Sequence, residues 1–140
     1  MADIRHDLMA LILSVRDQLG LPDSLQADFL PVEGDALSFQ SDVTPKIRKA
    51  YINGTQEWQY AFSLLAVTDG GTTSAPNLRA MGWLESLGAL FEGMHDHPLS
   101  DTRTVRQGET TTPALITRTQ DGRIVYSIQI SIVYKEKQNG

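Results

Sequence analysis

Between Ile124 and Tyr134 every second residue is large and apolar: Ile124, Tyr126, Ile128, Ile130, Ile132 and Tyr134 alternate with Val125, Ser127, Gln129, Ser131 and Val133. The strand period of two sends the first set to one face, so this segment predicts a long, half-buried antiparallel strand from Ile124 to about Lys135. Such a strand needs neighbours on its edges and a cover over its apolar face. The rest of the chain must supply both.

Two amphipathic helices are candidates for the cover. Ile4, Leu8, Leu11, Ile12, Val15 and Leu19 recur at helical spacing over residues 3–19, and Gly20 followed by Pro22 is a stop signal. Leu78, Met81, Leu84, Leu87 and Phe91 form a second stripe over about 75–92, with Ser74 as a cap, Pro76 in the first turn and Gly93 beyond the end.

Neighbouring strands are read from three places. Lys46 to Ile52, Asn53-Gly54, and Thr55 to about Val67 predict a hairpin over about 46–67 with a two-residue primed turn, since Asn-Gly accepts positive φ. Pairing outward places Tyr51 opposite Gln56, Lys49 opposite Trp58 and Ile47 opposite Tyr60, with Trp58, Tyr60, Phe62 and Leu64 on one face. Leu25 to Leu30 and Ala36 to Gln40 suggest an irregular hairpin around Glu33-Gly34-Asp35, and Asp121-Gly122 a last hairpin over about 114–135. Asp101 to Thr112 is polar and strand-prone, and reads as an arm over about 101–112 that is either a loop or a strand adding to a neighbour's sheet. The expected fold class is α+β, a single antiparallel β-sheet with helices packed on one face. The 140 residues make one domain, 1–140.

Charge and composition exclude several functions. The net charge is −5 and no Lys/Arg block occurs, so the cationic stripe of a nucleic-acid binder is missing. Acidity is first of all the common way to keep a small domain soluble, and it also suits a protein that lets DNA pass without holding it. There are no cysteines, which removes disulfides and thiolate metal sites. Asp3, Arg5 and Asp7 break the N-terminal apolar run, which does not match a signal peptide, and no uncharged run approaches the roughly 20 residues of a membrane span.

His95-Asp96-His97 is the one cluster of metal-ligand types, and with only His6 besides it is read as a solvated loop. No nucleophile-elbow sequence occurs, and Asp69-Gly70-Gly71 lacks the Lys-Ser/Thr of a phosphate loop. Neither an enzymatic activity nor a cofactor is expected. The residues marked as subunit or partner contacts are Lys46, Arg48, Lys49, Asn53 and Glu57 on the hairpin, and Arg103, Arg106 and Glu109 on the arm. Arg48 with Glu57, and Lys49 beside Trp58, also fit plain cross-strand pairs.

The run Pro45 to Phe62, then Asn77, Gly82-Trp83-Leu84, Leu87 and Phe91, then Asp121 to Tyr134 with its Tyr126-x-Ile128-Gln129 start, follow one another in an order that resembles the tail-terminator and minor capsid (head–tail joining) proteins of long-tailed phages. The resemblance covers the chain from about residue 25. It implies a structural virion protein that is made in the host cytoplasm and has no catalytic residues. It would form a ring, usually a hexamer, on the head-proximal end of the tail tube. The implied partners are further copies of itself, the tail tube protein and the head-completion or connector protein, with DNA passing through the lumen. A head-completion subunit of the same virion is the alternative; a small α+β binding or enzyme domain is a third reading.

Overall fold

In the computed structural model, which describes residues 3–27, 34–41, 44–69, 75–118 and 122–137, the chain runs α1 (Ile4–Ser14), α2 (Arg16–Leu19), β1 (Ser24–Ala27), β2 (Ala36–Gln40), β3 (Lys46–Ala50), β4 (Gln56–Asp69), α3 (Ala75–Glu92), β5 (His97–Pro98), β6 (Arg103–Thr110), β7 (Ala114–Arg118) and β8 (Arg123–Glu136). β4 and β8 are the axis of the sheet. Each has 14 residues, and they pair antiparallel without interruption from Gln56↔Glu136 to Asp69↔Arg123. At about 3.3 Å per residue a strand of that length far outruns an ordinary neighbour. Each therefore carries two short strands end to end on its outer edge. β3 and then β2 lie along β4, while β6 and then β7 lie along β8.

The expected α+β fold, a single antiparallel sheet with helices, is not what forms. The chain is mostly β, 47% strand against 27% helix, and its sheet is curled and mixed. Two segments account for the difference. β1 pairs with β2 in parallel, from Ser24↔Ala36 to Ala27↔Phe39, where the turn signal at Gly34 had suggested an antiparallel hairpin. The presumed polar arm is β6, paired with β8 on one edge and β5 on the other. It escapes recognition because a bulge between Val105 and Gln107 breaks its alternation, and because its inward residues include Arg103 and Gly108 in place of large apolar side chains.

One core lies between the sheet and the helices. All six alternating residues of β8 enter it, with Tyr60, Phe62 and Leu64 of β4, Ile4, Leu8 and Ile12 of α1, and Trp83, Leu84, Leu87 and Phe91 of α3. Phe62 stacks on Phe39 at 4.7 Å and meets Phe91 edge-on at 5.5 Å, which fixes α3 over the centre of the sheet. Leu78, assigned to the α3 stripe by spacing, is 65% exposed, and Ala80 is buried instead. On the opposite face, Leu65, Val67 and Val125 form a small apolar cluster at one end, and Val133 is buried nearer the other.

The first helix is capped by Asp3, whose carboxylate accepts from the His6 amide at 2.9 Å. It does not run unbroken to residue 19. Val15 has φ −102° and ψ 4°, and Ser14 Oγ donates back to the Leu11 carbonyl at 2.6 Å, a competing bond of the kind that bends helices. The chain restarts as the single turn of α2, which Gly20 closes in the left-handed conformation at φ 65°. The Ser74 cap, and residues 28–33 and 119–121 of the two anticipated turns, lie outside the described residues.

Candidate functional site

Among the described residues, the β3–β4 hairpin is exposed along the whole of β3 and at its tip. Its turn has three loop residues, Ile52, Asn53 and Gly54, not the two expected from Asn-Gly. Tyr51 N donates to Thr55 O at 2.8 Å, Gly54 N donates to Tyr51 O at 3.0 Å, and Gly54 takes φ 88°. This is the tight-turn-plus-left-handed-glycine arrangement of a three-residue hairpin loop. Asn53 Oδ1 supports it by accepting from Thr55 N at 3.1 Å. The extra loop residue shifts the register to Lys49↔Glu57, and a bulge at Arg48 shifts it again to Ile47↔Trp58.

All five residues of β3 are exposed, and it pairs only with β4. Ile47 is 49% exposed, and Ile52 at the tip stands entirely in solvent. Lys46, Arg48 and Lys49 have no carboxylate partner among the described residues, whereas Arg16, Arg79, Arg103, Arg106 and Arg123 each have one within 3.8 Å. Lys49 and Lys135 approach the Tyr51 ring at 5.2 and 5.1 Å, so one aromatic ring supports two cations.

The other marked residues fall into three settings. Glu57 does not pair with Arg48; it accepts from Arg106 at 3.4 Å, and Arg106 also reaches Asp96 at 3.4 Å. Glu109 is exposed and faces, with Arg48, a shallow hollow of about 170 Å³ on the open face of the sheet. A larger hollow of about 430 Å³ continues from it over Ala61, Ser63, Gln129 and Ser131. The floor of this larger hollow is small and neutral polar at Ala61, Ser63, Gln129 and Ser131, odd-numbered residues of β4 and β8 that point away from the core.

Arg103 is apart from the rest. It is 8% exposed and lies on the core side, donating to Asp7 at 2.8 Å and Glu136 at 3.0 Å. Burial lowers the pKa of its guanidinium, but the hydrogen bonds and charges of the two carboxylates outweigh that, and the net shift is upward. The triad ties α1 to the ends of β6 and β8. Nearby, burial and then the Glu136 charge push the Tyr134 phenol up to about 12. A cavity of about 520 Å³ opens between Arg103, Glu136, Trp58 and Thr44. Arg103 is held there by its two carboxylates, and Tyr134 keeps its proton at neutral pH. His95-Asp96-His97 does not converge: Asp96 turns to Arg106 from a left-handed backbone at φ 52°. Among the described residues no group of three or more His, Cys, Asp or Glu side chains is placed to hold a metal, and no helix is long and apolar enough to cross a membrane.

Of the residues marked in the sequence as contacts, those of β3 are exposed, whereas Arg103 is buried against Asp7 and Glu136; Lys135, not marked, lies beside the hairpin at Tyr51. Lys135 joins the hairpin only through the β4–β8 register, which no local spacing encodes. No protein-family model matches this chain, nor does any curated protein.

Proposed function

We propose that the chain is a structural virion protein, a tail terminator that closes the head-proximal end of a phage tail tube as a ring, usually a hexamer, and joins it to the head connector. The observation that carries this reading is the β3–β4 hairpin, with a solvent-exposed strand, Ile47 and Ile52 uncovered, and cations that have no carboxylate partner among the described residues. Apolar and charged groups held out on an ordered hairpin are suited to contact with another protein. The order of sequence elements that resembles the tail-terminator proteins supports the particular assignment. A net charge of −5 suits a ring that passes DNA without binding it. The work proposed for the chain is assembly, without catalysis or cofactor.

The test is the mass of the purified protein by light scattering over a concentration series, with negative-stain images and a tail-tube capping assay. A closed ring that stops tube growth is the expected result. A protein that stays monomeric and neither caps nor copurifies with tubes would overturn the reading, and recovery on DNA-filled, tailless heads would reassign it to head completion.

A further inference from the structure

Along β3 the described residues place cations without a carboxylate partner, and beside β6 they place carboxylates without a cationic partner. On the β4 side, β3 holds Lys46, Arg48 and Lys49, none with a carboxylate partner among the described residues. On the β8 side, β6 and its surroundings hold Asp101, Glu109 and Glu92, all exposed and none with a cationic partner among the described residues. Glu92 belongs to this flank because the end of α3 lies against β6. Thr110 Oγ1 donates to its carboxylate at 2.5 Å, and the Phe91 carbonyl lies over Gly108.

We infer that the β3 flank of one copy docks on the β6 flank of the next, head to tail. This rests on the ring reading above and names the surfaces that would build it. Three cations on one edge strand repel a second β3, so a symmetric β3-to-β3 pairing is disfavoured, and the same cations attract the acidic flank. Contact between two different surfaces of identical chains is heterologous, and it closes into a ring when the rotation per subunit permits. Ile47, on the β3 edge, becomes covered in that contact. The charges select the partner and orientation; burial of the hairpin's apolar residues supplies attraction that salt does not screen.

The experiment uses the full chain, whose lack of cysteine makes introduced thiols unambiguous. Lys49→Cys protein is mixed with Glu92→Cys protein and oxidised. The mixed Lys49→Cys to Glu92→Cys cross-link should exceed either self cross-link several-fold; predominance of the Lys49→Cys self cross-link, or none above a surface control such as Asp17→Cys, would overturn the inference. Two charge-reversed chains extend the test: one with Lys46→Glu, Arg48→Glu and Lys49→Glu, the other with Glu92→Lys, Asp101→Lys and Glu109→Lys. Each alone should lose the self-association of the parent chain, and an equimolar mixture should regain it. Unchanged association in either chain alone, or no recovery on mixing, counts against the inference. Mixed cross-links in a dimer or open filament that caps no tube would sink the ring reading while leaving the flank contact in place.

Discussion

Gly108 sits where β6 passes beneath the end of α3. A Cβ added there would overlap the Phe91 carbonyl oxygen and lie 3.0 Å from its carbon, where ordinary contact begins at 3.4 Å. Both obstacles are backbone, so Gly108→Ala cannot be relieved by a rotamer change. Either α3 lifts by about 1 Å, opening the contacts of Leu84, Leu87 and Phe91, or β6 gives up its pairing opposite Ile132. Overpacking of this kind costs about 3 kcal/mol, or roughly 10 °C in melting temperature for a domain of this size. Two other glycines serve as controls. At Gly88 the nearest obstacle is the movable Ile128 Cδ1, 2.9 Å away, so the helix propensity gained by alanine and the repacking strain should leave stability within about 1 kcal/mol of the parent. At Gly82 nothing lies within 4 Å, and alanine should stabilise α3 by about 0.5–1 kcal/mol. Urea unfolding followed by the fluorescence of Trp58 and Trp83 would give the three midpoints at constant slope. If Gly108→Ala unfolds at the same urea concentration as Gly88→Ala, β6 does not lie against α3 as described.

Three further outcomes follow from the same geometry. Arg103→Met should cost about 3 kcal/mol by leaving Asp7 and Glu136 facing each other without the cation, and adding Asp7→Leu should recover part of it; urea titration of the single and double variants reads both. Because the Tyr134 pKa is pushed up to about 12 from the usual 10.0, the folded chain keeps a proton that the unfolded chain releases. Its contribution is therefore whole below pH 10 and is lost as pH rises toward 12, at up to about 1.4 kcal/mol per pH unit; melting curves across that window should lose this component in Tyr134→Phe. Gly54→Ala forces a side chain into φ 88° and should cost about 1 kcal/mol, with faster amide exchange at Tyr51 and Thr55 and little change in the core.

The sequence by itself determined what local patterns can encode. The alternation from Ile124 to Tyr134 specified the central strand and its buried face, because a period of two depends on no distant residue. Helical spacing over 75–92 specified α3, and glycine at Gly54 marked a turn whatever its length. Tertiary structure decided how these parts meet. Turn length set the β3–β4 register, since Asn-Gly fits both a two- and a three-residue loop, and the bulge at Arg48 shifted it once more. Arg103 looked like a surface cation because its compensation comes from Asp7 and Glu136, 96 and 33 positions away. The polar stretch around it looked like an arm for the same reason: burial of polar residues depends on partners, and partners are a property of the fold. β1 beside β2 in parallel, and the opposite charges on the two flanks, likewise arise only when segments distant in sequence are laid side by side.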